Sequence, residues 1–236
     1  MNHNRISTYA AVVAAALLCA STARVNAMTV NWGNDTGNTE LTLQDGLTGV
    51  PIGSLVELGT FPSGLSSTAI TALWTGNPNA ATDIQAEFII WASGVIGDNT
   101  ATAGAFGETT GGPGVGFFSL TAFLVVLDAA TPGAATQVGV FKGQLTGTTF
   151  GDPWLFPAND VAPPPTFSCD DLNAANVLIG SYRPGSLSAG VVNGSPASFG
   201  PDANALELAV VVPEPTTYAL VGMGLLGAWG LRRRRC

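Results

Sequence analysis

Between residues 28 and 212 the apolar residues come in short runs broken by Gly, Pro, Asn, Asp and Thr, the pattern of strands joined by turns. The runs predict strands at Met28–Trp32, Glu40–Leu43, Ser54–Phe61, Ala69–Trp74, Ile84–Ala92, Gly116–Asp128, Thr136–Leu145, Asn176–Ser181 and Ala205–Val212. Phe117 to Leu127 is too continuously apolar for a strand with one wet face. Its β-branched and aromatic content favours a central strand buried on both faces over a buried helix. Ile84, Glu87, Phe88 and Trp91 have helical spacing, but Gly94 and Gly97 follow closely, so this run too is read as strand. Many short strands, Gly- and Pro-rich turns and no fixed-period repeat predict an all-β ectodomain, a β-sandwich or jelly roll.

Two long connections interrupt the pattern, Asp98–Gly116 and the proline-rich Asp152–Ala174. Within the second, Trp154, Leu155, Phe156 and Pro157 form an apolar knot. Plugging the core is its expected role; an exposed binding platform is the alternative.

At both ends the pattern changes to that of transport segments. His3 and Arg5, an apolar run from Tyr9 to Ala20, and the small-residue site Val25-Asn26-Ala27 predict a signal peptide at 1–27, cleaved between Ala27 and Met28 by signal peptidase after passage through the secretion machinery. Cys19 is not read as a lipoprotein cysteine, because Leu17 and Leu18 precede it. At the other end Pro213, Glu214 and Pro215 precede an uncharged apolar run from Thr216 to Leu231, followed by Arg232, Arg233, Arg234 and Arg235 and then Cys236. Pro215 suits the first position of a helix. The run at 216–231 is somewhat short of the roughly 20 residues of an ordinary span, a shortfall that snorkelling arginine stems can make up. Four arginines at one end hold it on the cytoplasmic side, which places the rest of the chain outside.

With Val212, Pro213, Glu214, Pro215 and Thr216, a Gly-rich apolar helix and a basic cluster, residues 213–236 resemble a PEP-CTERM sorting signal of bacterial envelope proteins. The resemblance implies an integral-membrane exosortase as partner. It also implies processing near Pro213–Pro215, transient anchoring in the inner membrane and delivery of the ectodomain to the cell surface or extracellular matrix. More loosely, Leu55–Phe61 and the Trp154–Pro157 knot are similar to ectodomains of other proteins of this kind, which implies a shared β fold and no activity.

Charge narrows the function of residues 28–212. Fifteen of the chain's 16 acidic residues lie there but only two of its 8 basic ones, Lys142 and Arg183, a net charge of −13. Such a surface cannot neutralise phosphates, so nucleic acid is excluded as a partner. His3, the one histidine, lies in the signal peptide, which leaves no imidazole for acid–base, triad or metal chemistry. Cys169 is the one cysteine of the segment, so no intrachain disulfide framework exists there, and a small buried side chain is its expected role; Cys236 is given none.

Oxygen ligands for calcium cluster weakly at Asn34, Asp35, Asn38 and Glu40, and again at Asp170, Asp171 and Asn173. Turn capping accounts for both groups equally well, so the expected cofactor is none. The sequence therefore predicts an exported, non-catalytic surface or matrix protein. The alternative is a carbohydrate-binding module for extracellular polysaccharide, with Trp32, Trp74, Trp91 or Trp154 as stacking platforms. A glycoside hydrolase working through two carboxylates is less favoured.

Overall fold

The computed structural model describes residues 29–34, 39–98, 102–112, 114–142, 154–159, 166–187 and 203–211. They are mostly β-strand with few helices. A central sheet runs in the order β12-β7-β6-β3-β4, built from β3 (Leu55–Thr60), β4 (Ile89–Val95), β6 (Phe123–Leu127), β7 (Gln137–Lys142) and the short β12 (Ala209–Val210). β9 (Val177–Ile179) also pairs with β7. Two three-stranded sheets accompany it. In one, β1 (Thr29–Gly33) lies between β5 (Gly107–Gly111) and β8 (Thr166–Ser168). In the other, β11 (Ala203–Glu207) lies between β10 (Ser181–Leu187) and β2 (Thr39–Thr42).

The core divides on the two faces of β6, all five residues of which are buried. Leu124 and Val126 join Val56, Leu58 and Phe141 against side chains from the small sheets, including Val30, Trp32, Leu41, Phe167 and Leu206. Phe123, Val125 and Leu127 belong to a second cluster with Val138, Val140 and the helical residues Ile70, Ala80, Ala81 and Ile84. The period-2 alternation of a strand sends successive side chains to opposite faces, so burial on both sides demands a run with no polar position. The fully buried central strand expected here is present, but only over Phe123–Leu127. Phe117 to Leu120 forms a turn, with the Leu120 N–H donating to the Phe117 carbonyl and Ser119 at φ 60°.

Two of the predicted strands are helical. Ala69–Trp74 lies in α1 (Ser67–Trp74), where Ile70, Leu73 and Trp74 take the i, i+3, i+4 spacing of one helix face against the second cluster. Ser66 caps it, its hydroxyl accepting from the Ala69 N–H at 3.1 Å. The first half of Ile84–Ala92 lies in α2 (Ala80–Glu87), and only its second half enters β4. The helical spacing of Ile84 and Phe88 was the true signal, and the glycines that argued against it belong to the strand that follows. These helices cover the face of the central sheet opposite the small sheets, a layer that a two-layer sandwich does not have.

Three strands lie where loops or no strand were expected. β5, Gly-Glu-Thr-Thr-Gly, has no apolar residue and is held by its ladder to β1; β8 carries a single buried apolar side chain, Phe167. β10 contains Pro184, which is tolerated because β10 is an edge strand with a register shift between Arg183 and Leu187. In the central sheet, the bulge between Leu58 and Gly59 needs glycine: a Cβ there would sit 2.2 Å from the Ile89 carbonyl oxygen.

The double burial of β6 sets an expectation for stability. Leu124→Ala should cost about 2–5 kcal/mol, whereas Leu47→Ala, at a side chain 59% exposed, should stay within about 0.5 kcal/mol. Urea unfolding of the two variants measures both; equal losses would contradict the two-faced core.

Candidate functional site

Of the four weak calcium candidates, Asp35 and Asn38 lie outside the described residues, and the other two are buried for different reasons. Asn34 is a brace. Its side-chain amide donates to the carbonyls of Thr39 at 3.0 Å and Gly104 at 2.8 Å, and its Oδ1 accepts from the Phe106 N–H at 2.9 Å. Both donors of the amide and one lone pair of its oxygen are used within the protein, which ties residue 34 to the segment at 104–106. Glu40 is the opposite case. It is fully buried on β2, packed against Gly104 and Gly49, and neither carboxylate oxygen has a hydrogen-bond partner among the described residues. Burial pushes its pKa from 4.5 up to about 8. No group of three or more His, Cys, Asp or Glu side chains converges among the described residues.

A second buried carboxylate on the same small sheet is paired. Glu207 on β11 takes an ion pair from Arg183 and a hydrogen bond from the Ser181 hydroxyl, both on the neighbouring β10. Glu57 on β3 is held by Gln85 of α2 at 2.9 Å, and burial raises its pKa. Glu108 shares a cavity of ≈ 250 Å³ with Asp98 and Ser93. Burial, and then the charge of Asp98, raise its pKa. This pair of acids was not singled out in the sequence, because nothing in the spacing of residues 98 and 108 places them together.

The tryptophans proposed as stacking platforms are not free faces. Trp32 and Trp154 are 2% exposed, Trp91 packs edge-on against Phe156, and the half-buried Trp74 donates from Nε1 to the Val210 carbonyl. The Trp154–Pro157 knot plugs the first core, with Trp154 and Phe156 both in ring contact with Phe167. Cys169 is a buried free thiol whose pKa is raised by burial and then by Asp170 and Asp171, so it stays protonated. Asn173 caps a 3-10 turn, as expected, accepting from the Ala175 N–H at 2.8 Å.

The described chain ends at the edge of the central sheet. β12 pairs with β7 through Ala209↔Val138 and Val210↔Gln137, and the Val211 N–H donates to the Thr136 carbonyl at 2.7 Å. Pro213, Glu214, Pro215, the run 216–231, Arg232 to Arg235 and Cys236 lie outside the described residues, as do residues 1–27, expected as a signal peptide, and the expected cleavage site between Ala27 and Met28. No helix among the described residues is long and apolar enough to cross a membrane.

A family model described as the PEP-CTERM protein-sorting motif matches residues 211–235. The chain carries a PEP-CTERM sorting signal. No curated protein and no solved structure matches it. The signal marks this PEP-CTERM protein as exported and envelope-associated, with exosortase as its processing partner. The match begins at Val211, which is still bonded to the central sheet, so the sorting signal starts at the sheet's edge. Pro213 is two residues further on, within about 7 Å of extended chain.

The folded domain of this PEP-CTERM protein should lose stability as pH rises. The folded Glu40 carboxyl keeps its proton up to about pH 8, whereas the unfolded one releases it near 4.5. The unfolded state therefore binds fewer protons over that window, and stability falls by up to about 1.4 kcal/mol per pH unit. Glu57, Glu108 and Asp171, raised in the same direction, add to the slope. Glu40→Gln should flatten it, as read by denaturant unfolding between pH 5 and pH 8; an unchanged slope would show that Glu40 ionises freely in the fold.

Proposed function

We propose that this chain is a non-catalytic protein of the cell surface or extracellular matrix, delivered there by its C-terminal signal. The supporting observation is the PEP-CTERM match at residues 211–235, which begins at Val211 beside the edge strand of the central sheet. Cleavage near Pro213–Pro215 would remove none of the contacts of β12 or Trp74 described above. In this reading residues 1–27 are the signal peptide, 28–212 the ectodomain, and 216–231 a helix that holds the protein in the inner membrane, with Arg232 to Arg235 on the cytoplasmic side, until exosortase acts. The ectodomain belongs to the β-sandwich class with helices added to one face.

Absence of catalysis is part of the proposal and rests on chemistry. Residues 28–212 have no histidine, and the thiol of Cys169 is buried and protonated. Asp98 and Glu108 are the carboxylate pair that a hydrolase reading would use, and their cavity of ≈ 250 Å³ is smaller than the usual range for a substrate site. This reading invokes no calcium, because the bracing bonds of Asn34 account for that residue without an ion. A carbohydrate-binding module remains the second reading, favoured by a hydroxyl-rich cavity beside Lys142 and not by the tryptophans.

The test is a full-length chain in its native host with Pro213, Glu214 and Pro215 all changed to Ala. Exosortase recognition should fail, and the uncut protein should accumulate in the membrane fraction while the wild type leaves it. Equal distribution of the two would refute the sorting reading.

A further inference from the structure

The lysine at position 142 is the chain's only one, and it sits at the end of β7, opposite Phe123 in the register of the central sheet. It lines a cavity of ≈ 420 Å³ together with Ser63, Ser67, Ser119 and Thr121 and an apolar wall that includes Leu65 and Leu120. Among the described residues no carboxylate forms an ion pair with Lys142, and no hydrogen bond is made by any of the four hydroxyls. The wall is fixed. The Ser119 N–H reaches the carbonyls of Phe156 and Pro157 at 3.1 and 3.2 Å, and Thr121 bridges to Leu155. The buried Trp154–Pro157 knot thus holds one side of the cavity, and Phe61, in ring contact with both Phe88 and Phe123, holds the other.

We propose that this cavity binds an anionic sugar, one ring carrying a carboxylate, with Lys142 taking the carboxylate and the free hydroxyls of Ser63, Ser67, Ser119 and Thr121 taking the sugar hydroxyls. The volume lies within the range of small-molecule sites and far exceeds what an inorganic anion fills. Serine and threonine hydroxyls both donate and accept, as a polyol requires. Leu65 and Leu120 offer apolar contact to the C–H faces of a ring. The one cation lining this cavity, in a segment of net charge −13, discriminates by contact: beyond roughly 10 Å its field is screened, so the ligand must reach Lys142 itself. This inference deepens the surface-protein reading and rests on it for the setting in which such a sugar would be met, either free or as a unit of an acidic polysaccharide.

The experiment uses the purified full-length chain in detergent, titrated with galacturonate, galactose, acetate and trigalacturonate and followed by NMR or calorimetry. Galacturonate should bind at least tenfold more tightly than galactose or acetate, and more weakly as salt is added. Lys142→Met should lose at least tenfold, and Lys142→Arg should stay within a few-fold of wild type. Tighter binding of trigalacturonate than of the monosaccharide would identify a polymer unit as the ligand, and equal binding the free sugar. No binding of galacturonate by the wild type, equal binding of galactose, or undiminished binding by a folded Lys142→Met protein would overturn the proposal. If Lys142→Met does not fold, loss of wild-type binding in high salt decides the same point, and its absence overturns the proposal. None of these results depends on where the protein is sorted, so failure here leaves the sorting reading standing.

Discussion

The fold depends on a central strand that is dry on both faces. β6 carries Phe123, Val125 and Leu127 to the helices and Leu124 and Val126 to the small sheets, so none of its side chains can meet water. Everything that flanks it must supply apolar surface, including the Trp154–Pro157 knot and the capped helix α1. The same dryness makes buried carboxyls costly: Glu57 is accommodated through Gln85, and Glu207 through Arg183 and Ser181, while Glu40 is left neutral by default. Burial of Glu40 and Glu57, which raises both carboxyls, makes the stability of the domain dependent on pH.

The polarity of the chain fits its export signal. The N-terminal strand β1 lies between two partners, and the C-terminal strand β12 is the edge of the central sheet, where chain can leave without crossing the core. The sorting match starts at that edge. The edge strand that leads into the match is short and must keep its place while the signal is processed. Val211 bonded to Thr136, and Trp74 bonded to Val210, are the contacts that keep it there.

Much of this was legible in the sequence, and the failures have physical causes. Most of the strands were found because their apolar runs reflect burial, and the tail was read because proline, an apolar run and arginines act locally, without a fold. The helices were missed because α1 and α2 are eight residues each, too short for their spacing to outweigh the β-rich runs around them. β5 was invisible because ladder pairing with β1, not side-chain burial, makes it a strand. Asn34 and Glu40 were singled out as polar residues near a turn. Their roles as a brace and as a buried neutral acid depend on Gly104 and Phe106, some seventy residues along the chain, which no local pattern encodes. Lys142 stood out only by its rarity, and its cavity appears when the chain segments at 60–67 and 119–123 meet beside it.

The most direct measurement is the intact mass of the protein recovered from its native host, with membrane, surface and medium fractions kept separate. The account predicts that the material outside the membrane ends near Pro215, with the domain through Val211 whole. Recovery of the protein with Cys236 still attached, confined to the membrane, would contradict it and make the tail a permanent anchor.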